Sequence, residues 1–130
     1  MEKISERLLD QRLRNRTIET VEYLSQGDNS VKEMGFAEWV EMFFDWMPSY
    51  AGSPYPNTAM TNDEYKAVLL LSELMIELIK QTPKNMTIEE FLNTGWPSRI
   101  QPHAVSTLIL MRSRGKFSEE VEEENPSILW

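Results

Sequence analysis

The sequence predicts an all-α fold, a compact irregular bundle of four to five helices, and three observations support this prediction. Apolar residues recur at spacings of three and four in several segments, which is the period of an amphipathic helix. Two Thr-x-x-Glu sequences, starting at Thr61 and Thr87, have the pattern of the capping box that opens helices. No segment of the sequence shows the sustained alternation of β-branched residues typical of strands.

The N-terminal half predicts two helices. The first runs from Ile4 to about Leu24, because this segment lacks glycine and proline and is rich in good helix formers. The sequence Gln-Gly-Asp-Asn at 26–29 then predicts a helix stop and a turn. The second helix, 36–47, has the clearest apolar period in the chain and ends at Pro48. Its apolar stripe, which includes Trp39 and Phe43, is expected in the core.

A long Pro-rich loop (48–61) follows, with prolines at 48, 54 and 56. The next helix is capped by Thr61 and extends to about Gln81. Because it is apolar over most of its circumference, we expect other helices to surround it and place it at the centre of the fold.

The C-terminal half predicts two more helices. The first is short, from Thr87 to about Leu92, and an extended step at Trp96-Pro97 follows it. The last helix has Pro102 in its first turn and ends at Arg114, with Gly115 as its stop.

The predicted organisation is a single helical domain (1–117) with an acidic tail (118–130). The tail ends in Ile-Leu-Trp, an apolar segment that we expect to dock on the domain. The first helix carries a basic cluster of Arg7, Arg12, Arg14 and Arg16. These arginines can pair with acidic residues of their own helix, with an anion, or with Glu119–Glu124 of the tail.

Composition excludes several classes of function. With 13 basic and 21 acidic residues the net charge is −8, which disfavours nucleic acid as a partner. The chain has no cysteine, so it has no thiolate metal site or thiol nucleophile, and we expect the reducing cytoplasm. The longest apolar run, 67–71, is too short for a membrane span. Phosphate-loop and dinucleotide motifs are absent, and we expect no cofactor.

The second helix carries the candidate partner-binding residues. These are Glu38, Glu41, Phe44, Asp45 and Trp46. The acidic residues share one side of the helix, and the two aromatic residues lie at the margin of the apolar stripe, where an exposed ring can anchor a partner. The sequence therefore favours a small, acidic, non-enzymatic protein-binding or regulatory module, of the immunity type for instance, with a basic protein partner. A homodimer through the aromatic helix is a further alternative.

The alternative interpretation is a Mg²⁺-dependent hydrolase of a phosphorylated small molecule. Its metal ligands would be Glu38, Glu41, Glu73 and Glu77, if the two helices brought them into one all-oxygen pocket. The Glu38-x-x-Glu41 spacing resembles the Glu-x-x-Glu motif that holds metal in helical nucleotide pyrophosphohydrolases. The resemblance covers these four positions and no second motif. The lone His103, in the first turn of the predicted last helix, has no second histidine or cysteine as a partner, so a partly buried surface position without a catalytic role is favoured.

Overall fold

The computed structural model describes residues 4–46, 49–50, 53–54 and 56–129, and describes the backbone alone at residues 46, 49, 50, 53 and 54. Within these ranges the chain forms six helices and two short strands. In chain order they are α1 (Glu6–Ser25), α2 (Asp28–Met34), α3 (Phe36–Trp46), β1 (Ser49–Tyr50), β2 (Ser53–Pro54), α4 (Asn62–Gln81), α5 (Ile88–Asn93) and α6 (Trp96–Arg114). The strands pair antiparallel, with Ser49 opposite Pro54 and Tyr50 opposite Ser53. The predicted all-α class is confirmed.

Both predicted capping boxes are confirmed. The Thr61 hydroxyl accepts a hydrogen bond from the Glu64 N–H at 3.1 Å, and a Glu64 carboxylate oxygen accepts one from the Thr61 N–H at 3.0 Å. Thr87 and Glu90 form the same reciprocal pair, with both bonds at 3.1 Å. The boxes satisfy N–H groups that a first helical turn leaves without partners, which fixes where α4 and α5 begin.

The turn predicted at 26–29 is wrong beyond Gly27, because residues 28–34 form the additional helix α2. Glycines with positive φ at 27 and 35 bound this helix. Ser30 accepts a hydrogen bond from the Trp39 indole nitrogen at 2.9 Å, and Val31 is buried. A seven-residue helix is too short to be stable alone, so these tertiary contacts, rather than an apolar period, stabilise it.

The predicted start of the last helix at Pro102 is also wrong. Helix α6 begins at Trp96, and the expected extended step at Trp96-Pro97 is its first turn, with both side chains buried. Proline is well tolerated in a first turn because its missing N–H has no helical acceptor there. Pro102 lies inside the helix on its exposed side, where water can reach the carbonyl that has lost its helical donor.

The centre of the fold is the antiparallel pair α1 and α6. Near the end of α6, the Met111 carbonyl accepts a hydrogen bond from Arg14 at 3.0 Å. Near its beginning, Gln101 donates to the Ser25 carbonyl at the end of α1, also at 3.0 Å. Helix α3 packs on the α1 side of this pair and α4 packs on α6.

The predicted central position of α4 is therefore wrong. One face of α4 is buried, comprising Val68, Leu71, Met75 and Leu78. On its other sides Leu70 is 42% exposed and Ile79 is 43% exposed. An apolar composition allows a helix to be surrounded by other helices. Whether they surround it depends on how the chain packs.

The predicted buried stripe of α3 is confirmed at Trp39 and Phe43, which are fully buried. The Phe91 ring of α5 packs against this stripe, with its centroid 5.7 Å from that of Trp39 and 4.2 Å from that of Phe36. These aromatic contacts fix one side of α3 in the core and leave the opposite side facing outward.

The predicted loop (48–61) lies partly outside the described residues. Its last part is held against α1: Asn57 donates to the Asp10 carbonyl at 3.0 Å, and the Thr58 N–H and hydroxyl donate to the Asp10 carboxylate at 3.0 and 2.8 Å. Thr61 then caps α4.

Candidate functional site

The first candidate surface is the acidic side of α3. Glu38, Glu41 and Asp45 are all exposed, and their spacings of three and four place them on one side of the helix. We call these three residues the α3 acidic face. Because Trp39 and Phe43 anchor the opposite side, the carboxylates project from a helix whose orientation is fixed.

Of the two aromatic residues predicted beside this face, Phe44 and Trp46, the structure describes the side chain of Phe44 alone. Phe44 is half-buried and packs against the core, with its ring centroid 5.1 Å from that of Phe43 in an edge-to-face arrangement. Phe44 therefore packs partly inside the chain, and only part of its side chain is open to a partner. The side chain of Trp46 lies outside the described residues.

The structure does not bring the four candidate metal ligands together. Glu38 and Glu41 are on α3, which packs on α1 and α2, whereas Glu73 and Glu77 are on the exposed strip of α4, which packs on α6. Across residues 4–46 and 56–129, no three His, Asp or Glu side chains form a group that could hold a metal ion. This placement gives the magnesium alternative no geometric support.

The expected position of His103, partly buried in a first helical turn, is wrong: it lies two turns into α6, because this helix begins at Trp96, and it is exposed. Among the described residues, depressions of about 410 and 510 Å³ lie elsewhere on the surface. The smaller is lined by Glu19, Glu22, Tyr23 and Gln26, and the larger by Arg7 and residues 122–124. Both depressions are open to solvent and lined mainly by charged or polar residues, unlike the enclosed pockets typical of small-molecule sites.

A buried ionic cluster joins three helices. The Glu64 carboxylate, fully buried, is 2.8 Å from the Arg14 guanidinium and 2.6 Å from that of Arg114. Arg14 is also fully buried and donates to the Gly115 and Met111 carbonyls at 2.9 and 3.0 Å. Every charge in this cluster has a partner inside the protein, so its role is to hold α1, α4 and α6 together.

The second candidate surface is on α1, where the C-terminal segment covers it. Residues 116–129, which we call the strap, run along α1 and close with two backbone hydrogen bonds between Lys116 and Ile128, at 2.7 and 3.0 Å. Phe117, the first anchor of the strap, is fully buried beneath the guanidinium groups of Arg7, Arg14 and Arg114, which lie 5.2 to 5.7 Å from its ring centroid.

Two carboxamides of α1 bind the backbone of the strap. Asn15 donates to the Phe117 carbonyl at 2.9 Å and accepts from the Phe117 N–H at 3.2 Å. Gln11 donates to the carbonyls of Ser118 and Val121, both at 2.9 Å, and accepts from the Glu123 N–H at 2.8 Å. Both carboxamides are fully buried, so their donors and acceptors are matched to a peptide backbone.

Arginines flank the carboxamides. Arg7 donates to the carbonyls of Glu123 and Glu124, at 2.7 and 3.2 Å, and Arg12 donates to the Glu119 carbonyl at 2.8 Å. Arg16 forms an ion pair with the Glu119 carboxylate. We call the set of Arg7, Gln11, Arg12, Asn15 and Arg16 the arginine face.

Two of these residues, Gln11 and Asn15, were not predicted as part of a surface. The signal was nevertheless present, because Arg7, Gln11 and Asn15 follow one another at intervals of four, and so do Arg12 and Arg16. The sequence identified the arginine cluster and left three partners open for it: acidic residues of the same helix, an anion or the tail. Arg16 pairs with both Glu19 of its own helix and Glu119 of the tail, whereas Arg7 and Arg12 bind backbone carbonyls of the tail. A neutral carboxamide has no charge and no apolar character, so its spacing alone does not indicate a binding residue.

The pKa values of Glu90 and Glu123 are lowered. The pKa of Glu90 lies below its usual range because its carboxylate accepts hydrogen bonds from the backbone N–H and the hydroxyl of Thr87. The pKa of Glu123 is lowered by hydrogen bonds from the Ser127 hydroxyl and from the Ser118 N–H. In both cases the donors favour the charged form of the carboxyl group.

In the described part of the chain, no helix is long and apolar enough to cross a membrane. No family model matches the sequence, and comparison with curated proteins and with solved structures found no significant similarity. Function must therefore be argued from the chain's own surfaces.

Proposed function

We propose that the chain is a non-enzymatic binding module whose α3 acidic face docks on a basic surface of a partner protein, as an inhibitor or immunity-type factor does. The observation that carries this proposal is that Glu38, Glu41 and Asp45 are exposed along one side of a helix whose other side is anchored in the core. With no cysteine to oxidise, the chain suits the reducing cytoplasm, where we place this interaction.

Electrostatics favours a basic partner for this surface. The net charge of −8 attracts cationic proteins and speeds their encounter, while the carboxylates set the orientation of docking. Like charges at spacings of three and four repel each other by a few tenths of a kcal/mol per pair, roughly, and a cationic partner would relieve that repulsion. A fixed helix also loses little conformational entropy on binding.

The test compares two matched charge reversals in the full chain. Glu38→Lys/Glu41→Lys alters the α3 acidic face, and Glu73→Lys/Glu77→Lys makes the same change in charge on the exposed strip of α4. Affinity purification from the native host at low salt should recover one protein in stoichiometric amount with the wild-type chain and with the α4 variant, and not with the α3 variant.

Calorimetry on the purified pair then measures the effect. We expect the α3 reversal to weaken binding at least tenfold, and added salt to weaken wild-type binding because the charges are screened. Equal affinity of the α3 variant and the wild-type chain would contradict the proposal, and so would the failure of all three forms to recover a stoichiometric partner.

A further inference from the structure

After the buried Phe117, the strap is attached mainly through polar bonds rather than through apolar burial. Beyond Phe117, its apolar side chains face outward: Val121 is 61% exposed, Ile128 is 45% exposed and Leu129 is 90% exposed. Burial of apolar surface is the main source of stability in a folded domain, and residues 118–129 contribute little of it. We therefore expect this segment to detach at a lower free-energy cost than the helices unfold.

The arginine face beneath the strap is chemically distinct from the rest of this acidic chain. Its three guanidinium groups are positively charged; Arg16 pairs with the Glu119 carboxylate, and Arg7 and Arg12 donate to backbone carbonyls of acidic residues. Its carboxamides offer paired donors and acceptors. The Gln11 carboxamide shows the pairing best, because it binds both backbone carbonyls and a backbone N–H. A phosphate group has no N–H to offer the Gln11 oxygen, whereas a peptide does.

We propose that the arginine face is a binding site for an acidic peptide segment of another protein that adopts the bent conformation of the strap, and that the chain's own residues 118–124 occupy this site in the closed form. The strap and an acidic peptide make the same backbone hydrogen bonds to Gln11, Arg7 and Arg12, so only one of them binds at a time. This site lies on α1 and is separate from the α3 acidic face, so the two proposals succeed or fail independently.

Tethering makes the strap a strong competitor. A segment joined by a short linker has an effective concentration on the order of millimolar, so a free peptide of the same sequence should bind the intact chain only weakly. A substitution that weakens the attachment of the strap and leaves α1 unchanged should make the arginine face accessible to a free peptide. The variant Glu119→Gln/Ile128→Pro removes the charge that pairs with Arg16 and the N–H that Ile128 donates to the Lys116 carbonyl.

The probe is a fluorescein-labelled synthetic peptide of residues 118–125, and fluorescence anisotropy measures its binding to the full chain. We expect the loosened variant to bind at least tenfold more tightly than the wild-type chain. Glu120→Gln/Leu129→Pro makes the same two chemical changes at adjacent exposed positions and should bind as the wild-type chain does. Equal affinity of the loosened variant and the wild-type chain would overturn the proposal.

A second probe separates peptide recognition from attraction between charges. The same peptide N-methylated at the position of Glu123 keeps its charge but lacks the N–H that Gln11 accepts. It should bind the loosened variant at least tenfold more weakly, and equal binding would show that the face responds to charge alone. Adding Arg7→Ala/Arg12→Ala should abolish binding, whereas Lys66→Ala/Lys80→Ala, at exposed lysines of α4, should leave it unchanged.

Hydrogen exchange in the wild-type chain tests, without any substitution, whether the strap opens independently of the helices. The amides of Glu123 and Ile128 should exchange faster than the core amides of α1, such as that of Val21, because the strap opens without global unfolding. If the Glu123 amide exchanges only at the rate of global unfolding, the strap is an integral part of the body and the proposal fails.

Discussion

Glu64 connects α4 to both α1 and α6, although the sequence around it indicates only a helix cap. Its carboxylate completes the capping box of α4 with Thr61 and pairs with both Arg14 and Arg114. A carboxylate with no exposure is stable only with such partners, since removing it from water costs several kcal/mol, roughly. The sequence predicted the cap from Thr61-x-x-Glu64, and the arginine partners became visible only in the fold.

The substitution Glu64→Gln should therefore destabilise the protein strongly. It leaves the buried Arg14 guanidinium without its counter-charge, and we expect a loss of about 3–5 kcal/mol in the free energy of unfolding, measured by urea denaturation. Glu73→Gln changes an exposed carboxylate of the same helix and should cost no more than about 0.5 kcal/mol. A loss for Glu64→Gln as small as that of the control would show that the Gly115 and Met111 carbonyls satisfy Arg14 by themselves.

At the scale of elements, the junction between α6 and the strap depends on Gly115. Its φ of +93° lies in the region that residues with a side chain rarely adopt. A Cβ at this position would also lie 2.6 Å from the carbonyl oxygen of Ile128, which is closer than contact distance. The glycine that the sequence marked as a helix stop thus also allows the strap to return across the end of α6.

We expect Gly115→Ala to destabilise the chain and to displace the strap. Gly35→Ala is the matched control, because Gly35 has a similar φ of +86° but no atom within 4 Å of the added Cβ. Both variants should incur backbone strain of about 1–3 kcal/mol, and only Gly115→Ala should add the clash with Ile128. Urea denaturation measures the strain, and the exchange rate of the Ile128 amide reports the strap. Faster exchange in both variants alike would contradict a specific clash.

At the scale of the whole molecule, acidification acts on the chain in two opposing ways. Protonation relieves the repulsion within a net charge of −8, which favours the folded state. It also removes the charge from carboxylates that accept hydrogen bonds. The folded-state pKa values of Glu90 and Glu123 are lowered, so their contribution is complete above the unfolded pKa and is lost as the pH falls through the folded pKa.

A double variant tests the effect of protonating the hydrogen-bonded carboxylates. Glu90→Gln/Glu123→Gln should be less stable than the wild-type chain at neutral pH, and the difference should disappear as the pH falls below the usual glutamate pKa of 4.5. Urea denaturation from pH 7 to pH 3 measures both chains and the control Glu89→Gln/Glu120→Gln, which removes two charges at exposed positions and so accounts for the reduced repulsion. A difference that stays constant or grows on acidification would show that these hydrogen bonds do not favour the charged carboxylates.

The sequence indicated some residues of the two binding surfaces and missed others. It identified the α3 acidic face, because charged residues at helical spacing can be read directly. It also identified the arginine cluster of α1, with the tail as one of three possible partners. It did not identify Gln11 and Asn15, because the partners of a carboxamide are defined only when the two parts of the chain meet.

The sequence by itself determined the all-α class, the two capping boxes and the buried stripe of α3, since these depend on residues within one or two helical turns of each other. It could not determine which helix is central. The apolar α4 is peripheral, whereas α1, with buried polar residues such as Arg14 and Asn15, is central. Asn15 meets its partner Phe117 across 102 residues of chain. Only the tertiary structure supplies such partners, and without them polar side chains would not be stable in the interior.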